Sequence, residues 1–282
     1  MKLVSFQFFS EPTPRPGLLL NDAILDLSPL GVPDAVSTIA VGTTALHQAL
    51  EMPGTSLIAL SAVHLLAPVP RPARIFCVGL NYRDHAIESK MEIPKVPTIF
   101  IKLPSAVIGP NEPVRIPALT KQPDYEVEFA IVIGKAGRNI AKENWQEHVF
   151  GYTILNDVSA RDVQLATSQW TLGKSFDTFC PIGPAIVTQD EIADPHNLDI
   201  RLSIGGEVLQ HSNTRELIFK APDLISYISS VTELQPGDII STGTPAGVGL
   251  GRSPQRWLQP GETMTAEIEG LGQLINPVVA AD

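Results

Sequence analysis

Two glutamates, Glu126 and Glu128, stand in an apolar stretch with the pattern of a β-strand. Side chains alternate across a strand, so the two carboxylates share one face, roughly 6–7 Å apart. Two like charges on a half-buried strand are unfavourable unless a cation lies between them, and no lysine or arginine stands on this strand. A hard divalent cation prefers carboxylate oxygens. The spacing therefore indicates a metal site, with Asp157, at the end of the next apolar stretch, as a third ligand.

The same spacing has two other interpretations. Glu126 and Glu128 would lie on a solvated sheet edge, and Asp157 would cap a helix that begins near Ser159. Alternatively, the glutamates would act without metal as an acid/base pair, as in a glycosidase. Adjacent strand glutamates fit that chemistry poorly, because such pairs should flank a bond from separate elements.

His85 and Glu88 follow a short apolar strand, in a segment compatible with a helix after Tyr82. A spacing of i, i+3 places both side chains on one face of a helical turn. A glutamate beside a histidine orients the ring and raises its basicity, as a general base requires. The alternative is an ordinary His–Glu pair on the surface.

Two later segments carry further candidate groups. Lys174 stands in a turn beside Gly173 and Phe176, where a solvated loop lysine is the alternative. The loop Gly243–Gly249 has neither the Gly-Lys-Ser/Thr of a P-loop nor a dinucleotide fingerprint. Its N–H groups and the Thr244 hydroxyl could still hold a carboxylate, although such loops are often only turns.

Composition narrows the classes of function. The chain has 282 residues, a net charge of −10 and no cluster of basic residues, which argues against nucleic acid as a partner. No stretch approaches the roughly 20 apolar residues of a membrane span, and the N-terminus does not form a convincing signal peptide. Only Cys77 and Cys180 are present, which favours a reducing compartment. We therefore expect a cytoplasmic protein that binds neither nucleic acid nor membrane.

The sequence pattern changes near residue 70, at the stiff Pro-rich segment Leu66–Pro72. We expect a small β-rich N-terminal domain at 1–70, with a hairpin at Asn21–Asp22 and one helix at Thr43–Met52. Residues 71–282 form the expected catalytic domain. Strands predominate there, with hairpin turns at Gly205–Gly206 and Gly270–Gly272.

Read together, the motifs resemble those of the fumarylacetoacetate hydrolase family in its short bacterial form, in family order over residues 74–282. The matching motifs are Gly79-Leu-Asn81-Tyr82-x-x-His85-x-x-Glu88, Lys102-x-x-Ser105, Tyr125-Glu126-x-Glu128, Asn156-Asp157-Val-Ser-Ala-Arg161-Asp162-x-Gln164, Gly173-Lys174-Ser-Phe-Asp177 and Gly243-Thr244-Pro245-x-Gly247-Val-Gly249.

The resemblance implies a mainly β fold with α+β elements, a mixed β-sandwich roll, and a homodimer. It also implies Mg²⁺ or Mn²⁺ as cofactor, with Ca²⁺ as a possible substitute in crystals. The implied site comprises the metal ligands Glu126, Glu128 and Asp157, the catalytic residues His85, Glu88 and Lys174, and the substrate-binding residues Arg161, Gln164, Lys102, Tyr82 and Thr244.

The family acts on small anionic 2-oxo acids. The first activity implied is hydrolysis of a C–C bond in an acylpyruvate or fumarylpyruvate through a metal-stabilised pyruvate enolate, with His85 as the base. Oxaloacetate decarboxylation and 2-oxo-enoate isomerisation or hydration are alternatives at the same metal site. A non-catalytic binding protein on this fold is a further alternative, which the presence of both His85 and Glu88 disfavours.

Overall fold

The computed structural model describes residues 1–51 and 57–281, and strands predominate in them. The strands are β1 (Lys2–Phe8), β2 (Glu11–Leu20), β3 (Ala23–Asp26), β4 (Leu57–Ala59), β5 (Val63–Leu66), β6 (Ile75–Gly79), β7 (Thr98–Lys102), β8 (Val107–Ile108), β9 (Val114–Ile116), β10 (Pro123–Asp124), β11 (Val127–Ile133), β12 (Val149–Asn156), β13 (Ser159–Ala160), β14 (Cys180–Thr188), β15 (Asp199–Ile204), β16 (Glu207–Asn213), β17 (Ile239–Ser241), β18 (Thr263–Ile268) and β19 (Gly272–Ala280). The helices are α1 (Ala35–Glu51), α2 (Arg83–Glu88), α3 (Arg161–Gln164) and α4 (Ala221–Val231).

The strands form one large sheet and two smaller ones. The large sheet has the order β4-β3-β2-β1-β14-β12-β11-β17-β6-β7, with β5 and β8 paired to β1 and β14. The order β16-β15-β18-β19-β9 forms a second sheet, and β10 pairs with β13. Most pairs are antiparallel, whereas β17 runs parallel to β6, so the large sheet is mixed. The expected mainly β, mixed-sheet fold is confirmed.

The centre of the large sheet is covered on both faces. Every residue of β11 and β12 is buried. Phe129 and Ile131 of β11 belong to the main core, together with Ile200 of the second sheet. Val132, on the opposite face, packs in another cluster with Leu3 near the N-terminus. A sheet covered on both faces requires a nearly continuous apolar sequence, which is what β11 has.

The N-terminal strands are hydrogen-bonded to the rest of the chain. Strand β1 pairs antiparallel with β14, with Leu3 opposite Ile186. Strands β2 and β3 form the hairpin predicted at Asn21–Asp22, and Asn21 has the positive φ of 54° that suits asparagine in a tight turn. The division of the chain into domains near residue 70 stays a prediction.

The predicted helix of the N-terminal segment is longer than the sequence indicated. Helix α1 begins at Ala35 and is kinked at Gly42, whose φ of 80° is left-handed. Glycine adopts that conformation at no steric cost. Met52, the predicted end of the helix, lies outside the described residues.

Both predicted C-terminal hairpins are present. Gly205–Gly206 connects β15 to β16, and the turn at Gly270–Gly272 connects β18 to β19. Cys77 and Cys180 are both buried and free. In residues 1–51 and 57–281, no helix combines the length and apolar character needed to cross a membrane.

Candidate active site

The three predicted metal ligands meet at one end of the central strands. Glu126 directly precedes β11, Glu128 is its second residue, and Asp157 directly follows β12. The two strands are antiparallel, and the Asp157 N–H donates to the Glu126 carbonyl oxygen at 2.8 Å. All three side chains are buried, and each offers a carboxylate oxygen that lies within 4.8 Å of the others. The solvated-edge interpretation of the glutamates is therefore wrong.

Basic side chains from other segments enter this cluster. Lys174 Nζ lies 2.6 Å from Glu126 Oε2 and 2.7 Å from Asp157 Oδ2. Lys102 Nζ lies 2.6 Å from Asp157 Oδ1, and Arg161 Nη2 lies 2.5 Å from Glu126 Oε1. None of these three basic residues stands on the strand that carries the two glutamates. Protein cations thus supply part of the countercharge for which the sequence alone indicates a metal.

Glu128 is the carboxylate left without a basic partner among the described residues. Its Oε2 accepts hydrogen bonds from Ser241 Oγ at 2.5 Å and from the Gly243 N–H at 2.9 Å. Burial, with Asp157 and Glu126 nearby, raises the pKa of Glu128 to about 8. Burial alone would raise the pKa of Glu126 too, but Arg161 and Lys174 lower it to about 2.

The donor set fits a hard divalent cation. Three converging carboxylates offer the oxygen ligands that Mg²⁺ and Mn²⁺ prefer. The ionised form of Glu128 has no basic partner in residues 1–51 and 57–281, and its Oε1 has no hydrogen-bond donor there, in keeping with the raised pKa. An added cation would stabilise that ionised form.

His85 and Glu88 form the predicted pair on α2. His85 Nδ1 lies 3.2 Å from Glu88 Oε2, which leaves Nε2 as the ring nitrogen available to a substrate. Glu88 Oε1 accepts the Gly247 N–H at 3.0 Å. Burial would raise the pKa of Glu88, but the hydrogen bonds from His85 and Gly247 outweigh burial and lower it. Glu88 thus remains a carboxylate that orients the imidazole.

One cavity of about 500 Å³ brings most of the predicted residues together. The predicted site residues that line it are His85, Glu88, Glu126, Glu128, Arg161, Gln164, Lys174 and Thr244. Lys174 is buried, so it is not the solvated loop lysine of the alternative interpretation. Burial would lower the pKa of Lys174, but Asp157 and Glu126 raise it, so the ammonium keeps its proton.

Three predicted residues lie outside that lining. Asp157 is beneath Lys174, and Lys102 is wholly buried behind Asp157, where it also donates to the Val158 carbonyl at 3.1 Å. Tyr82 is buried in the main core, and its hydroxyl has no hydrogen-bond partner among the described residues. Substrate binding by Lys102 and Tyr82 stays a prediction.

The glycine-rich loop uses its donors on the protein's own groups. The Thr244 hydroxyl donates to the Val127 carbonyl at 2.9 Å and accepts from Gln210 Nε2 at 2.8 Å. The N–H groups of Gly243 and Gly247 are taken by Glu128 and Glu88, as given above. The loop therefore holds protein carboxylates in place, and its contact with a substrate carboxylate stays a prediction.

Asp124 is a site residue that the motif reading missed. It is buried, and its Oδ2 accepts from Arg161 Nε at 2.8 Å. The signal was present, because Asp124, Glu126 and Glu128 follow one another at i, i+2. Trp170, whose ring packs beside Gly79 in the cavity, had no comparable signal.

Comparisons with known proteins find a matching family model and relatives that span nearly the whole chain. Residues 74–279 match the family model described as fumarylacetoacetate (FAA) hydrolase C-terminal. The chain is 45% identical over 288 residues to the mitochondrial oxaloacetate tautomerase fahd2 of Xenopus laevis, covering 99% of this chain and 90% of that protein.

Solved structures of the same kind cover the whole chain. The fumarylacetoacetate hydrolase of Exiguobacterium antarcticum is 37% identical with a TM-score of 0.87, and 100% of each chain is covered. The maleylpyruvate hydrolase of Sphingobium sp. SYK-6, in complex with manganese (II) ion and pyruvate, is 33% identical with a TM-score of 0.84, again over 100% of each chain.

Proposed function

Because the chain belongs to the fumarylacetoacetate hydrolase family, we propose that it interconverts the keto and enol forms of a 2-oxo dicarboxylic acid of the oxaloacetate type. The observation that carries this proposal is one cavity whose lining includes the His85–Glu88 pair, Lys174 and the two glutamates Glu126 and Glu128. The 45% identity to an oxaloacetate tautomerase over nearly the whole chain supports this choice of reaction.

The proposed cofactor is Mg²⁺ or Mn²⁺, held by Glu126, Glu128 and Asp157. When bound, such a cation acts as a Lewis acid that stabilises negative charge on the oxygens of a 2-oxo acid. The manganese in the related maleylpyruvate hydrolase structure supports a divalent cation here.

The proposed proton transfer uses His85. Its Nε2 takes a proton from C3, next to the 2-oxo group, while Glu88 holds the ring through Nδ1. The resulting enolate oxygen takes a proton from solvent to give the enol, and His85 returns its proton to solvent. Lys174 stays protonated, so it stabilises that oxygen by charge and hydrogen bonding.

Arg161 and Gln164 orient the substrate in this proposal. Both line the cavity, and Arg161 Nη1 donates to Gln164 Oε1 at 2.9 Å. A guanidinium held in a fixed plane is suited to bind a carboxylate through two parallel hydrogen bonds. A substrate with a carboxylate beside its 2-oxo group meets this requirement.

The test supplies the enol form of oxaloacetate to the Mn²⁺-loaded protein. We expect the ultraviolet absorbance of the enol to decay faster than in buffer, without formation of pyruvate. In the His85→Ala variant, the part of the decay rate that exceeds the buffer rate should fall by about 10²–10⁴-fold. Unchanged decay with the wild-type protein would overturn the tautomerase proposal, and activity that survives exhaustive EDTA treatment would overturn the metal requirement.

A second candidate is hydrolysis of the C–C bond of an acylpyruvate, favoured by the likeness to a maleylpyruvate hydrolase. His85 would take a proton from water, and the hydroxide would add to the distal C4 carbonyl. The C3–C4 bond then breaks and its electron pair stays on C3, giving pyruvate enolate and a carboxylic acid. Release of pyruvate from fumarylpyruvate or maleylpyruvate, measured with lactate dehydrogenase, identifies this reaction.

The remaining alternatives have distinct products. Oxaloacetate decarboxylation gives pyruvate and CO₂ from the same enol sample, and 2-oxo-enoate isomerisation or hydration gives neither. A cytoplasmic homodimer stays a prediction. Light scattering coupled to size exclusion measures the oligomeric state.

A further inference from the structure

Asp124 is a buried carboxylate whose two oxygens are both engaged. Oδ2 accepts from Arg161 Nε at 2.8 Å and from the Leu250 N–H at 3.0 Å. Oδ1 accepts from the Gly249 N–H at 2.7 Å and from the Tyr125 N–H at 2.8 Å. One side chain therefore contacts both an arginine of the cavity wall and the loop that follows β17.

On the arginine side, Asp124 fixes the plane of the guanidinium. Arg161 is buried, and its two terminal nitrogens reach Glu126 and Gln164. A guanidinium is planar, so holding Nε determines where both terminal nitrogens point. Asp124 thus sets the direction in which Arg161 faces the cavity.

On the loop side, Asp124 supports the segment that receives Glu88. Gly247, two residues before the Asp124-bound Gly249, donates its N–H to Glu88. A Cβ at Gly249 would lie 2.7 Å from Asp124 Oδ1, and a Cβ at Gly251 would lie 2.6 Å from Glu88 Cδ. Glycine, which has no Cβ, avoids these close contacts at both positions. The loop therefore packs closely against Asp124 on one side and against Glu88 on the other.

We propose that Asp124 is a positioning residue that joins the orientation of Arg161 to the docking of α2, which carries His85 and Glu88. It touches neither the cavity nor a predicted metal oxygen directly. The orientation of Arg161 and the position of the His85–Glu88 pair therefore both depend on the Asp124 side chain. The kinetic consequence rests on the proposed function, whereas the structural consequence does not.

The test compares Asp124→Asn with a matched control, Asp238→Asn. Asp238 is equally buried, pairs with Arg74 and accepts the Gln235 N–H at 2.7 Å, but it lies outside the cavity lining. An asparagine at 124 has an NH₂ group in place of one carboxylate oxygen. That group faces hydrogen-bond donors, with which it cannot form a hydrogen bond. We expect a loss of kcat of about 10- to 100-fold for Asp124→Asn. Asp238→Asn should lower Tm and leave kcat unchanged.

A second measurement needs no substrate. Hydrogen exchange should accelerate at 247–252 and at 83–90 in Asp124→Asn, but not in Asp238→Asn. Arg161→Lys removes the Nε donor without touching the loop. We therefore expect it to accelerate exchange at 247–252 as well, which keeps the proposal testable if Asp124→Asn does not fold.

The kinetic and the hydrogen-exchange measurements distinguish failure of the positioning role from failure of the proposed reaction. If Asp124→Asn lowers Tm as Asp238→Asn does, with wild-type exchange at both segments, Asp124 is only structural and the proposal is overturned. Wild-type exchange in Arg161→Lys would overturn it too. If the wild-type protein lacks tautomerase activity while exchange changes as expected, the proposed reaction fails and the positioning role stands.

Discussion

At the scale of single residues, substitution of His85 should lower turnover without changing metal affinity. His85→Ala removes the only group proposed to move a proton at carbon, so kcat should fall by about 10²–10⁴-fold. Its loss removes none of the hydrogen bonds described above for the three carboxylates, because basic side chains hold Glu126 and Asp157, and Ser241 and the Gly243 N–H hold Glu128. Mn²⁺ affinity measured by calorimetry should therefore stay at the wild-type value. Turnover at the wild-type rate would exclude His85 as the base.

The two strand glutamates should differ in what they contribute to folding. Glu126→Gln takes from Arg161 and from Lys174 one of the two carboxylates that each buried cation contacts, which should cost about 3–5 kcal/mol in the free energy of unfolding. Glu128 has no basic partner among the described residues, so Glu128→Gln should leave the metal-free protein as stable or stabilise it. Both variants should lose Mn²⁺ binding. Denaturant unfolding with EDTA, beside calorimetry, measures both quantities; equal destabilisation would contradict this account.

At the scale of elements, the contact between α2 and the loop that follows β17 should govern turnover. Gly251 is exposed, and its φ is not in the left-handed region, so alanine is sterically tolerated by the backbone. The added methyl group would push against the Glu88 carboxylate. We expect Gly251→Ala to lower kcat by up to about 100-fold, as small misplacements of catalytic groups do, with Tm unchanged. Ser253→Ala, two residues along the same loop, is the control and should show wild-type kcat.

The N-terminus of α4 should give a pH-dependent contribution to stability. The Ala221 N–H donates to His196 Nε2 at 3.2 Å, which requires an unprotonated nitrogen. Burial, together with Lys220, lowers the pKa of His196 below its usual 6.5. A lowered pKa means that the unfolded chain binds the proton more readily. The contribution of His196 is therefore complete above pH 6.5 and is lost as pH falls through the folded-state pKa.

The measurement compares Tm of the wild-type protein and of His196→Gln across this range. The wild-type advantage should be larger at a pH above 6.5 than well below it. A difference in Tm that does not change with pH would show that protonation of His196 has no effect on stability.

At the scale of the whole molecule, the N-terminal strands complete the large sheet. Strand β1 covers the edge of β14, and the Met1 amino group donates to Thr188 Oγ1 at 2.6 Å. We expect residues 71–282 expressed alone to be less stable and prone to aggregate, because β14 would present an uncovered edge and Ile186 an exposed face. Tm and light scattering test this. A soluble fragment with the Tm of the full chain would instead establish residue 70 as an autonomous domain boundary.

What the sequence determined by itself was local. The strand with Glu126 and Glu128, the turn with His85 and Glu88, and the hairpin at Asn21 depend on spacings of two or three residues, for which backbone geometry fixes the shared face. Motif order supplied the family. These features were therefore readable without any long-range contact.

The tertiary structure alone decided which charges meet. Lys174 is 48 residues from Glu126, Lys102 is 55 from Asp157, and Gly249 is 125 from Asp124. No periodicity encodes such pairs, because folding brings them together through sheet order and loop packing. For that reason the sequence indicated a cluster of carboxylates that needed countercharge. Only the fold showed that protein cations pair with Glu126 and Asp157, and that Glu128 is the predicted metal ligand without a basic partner in residues 1–51 and 57–281.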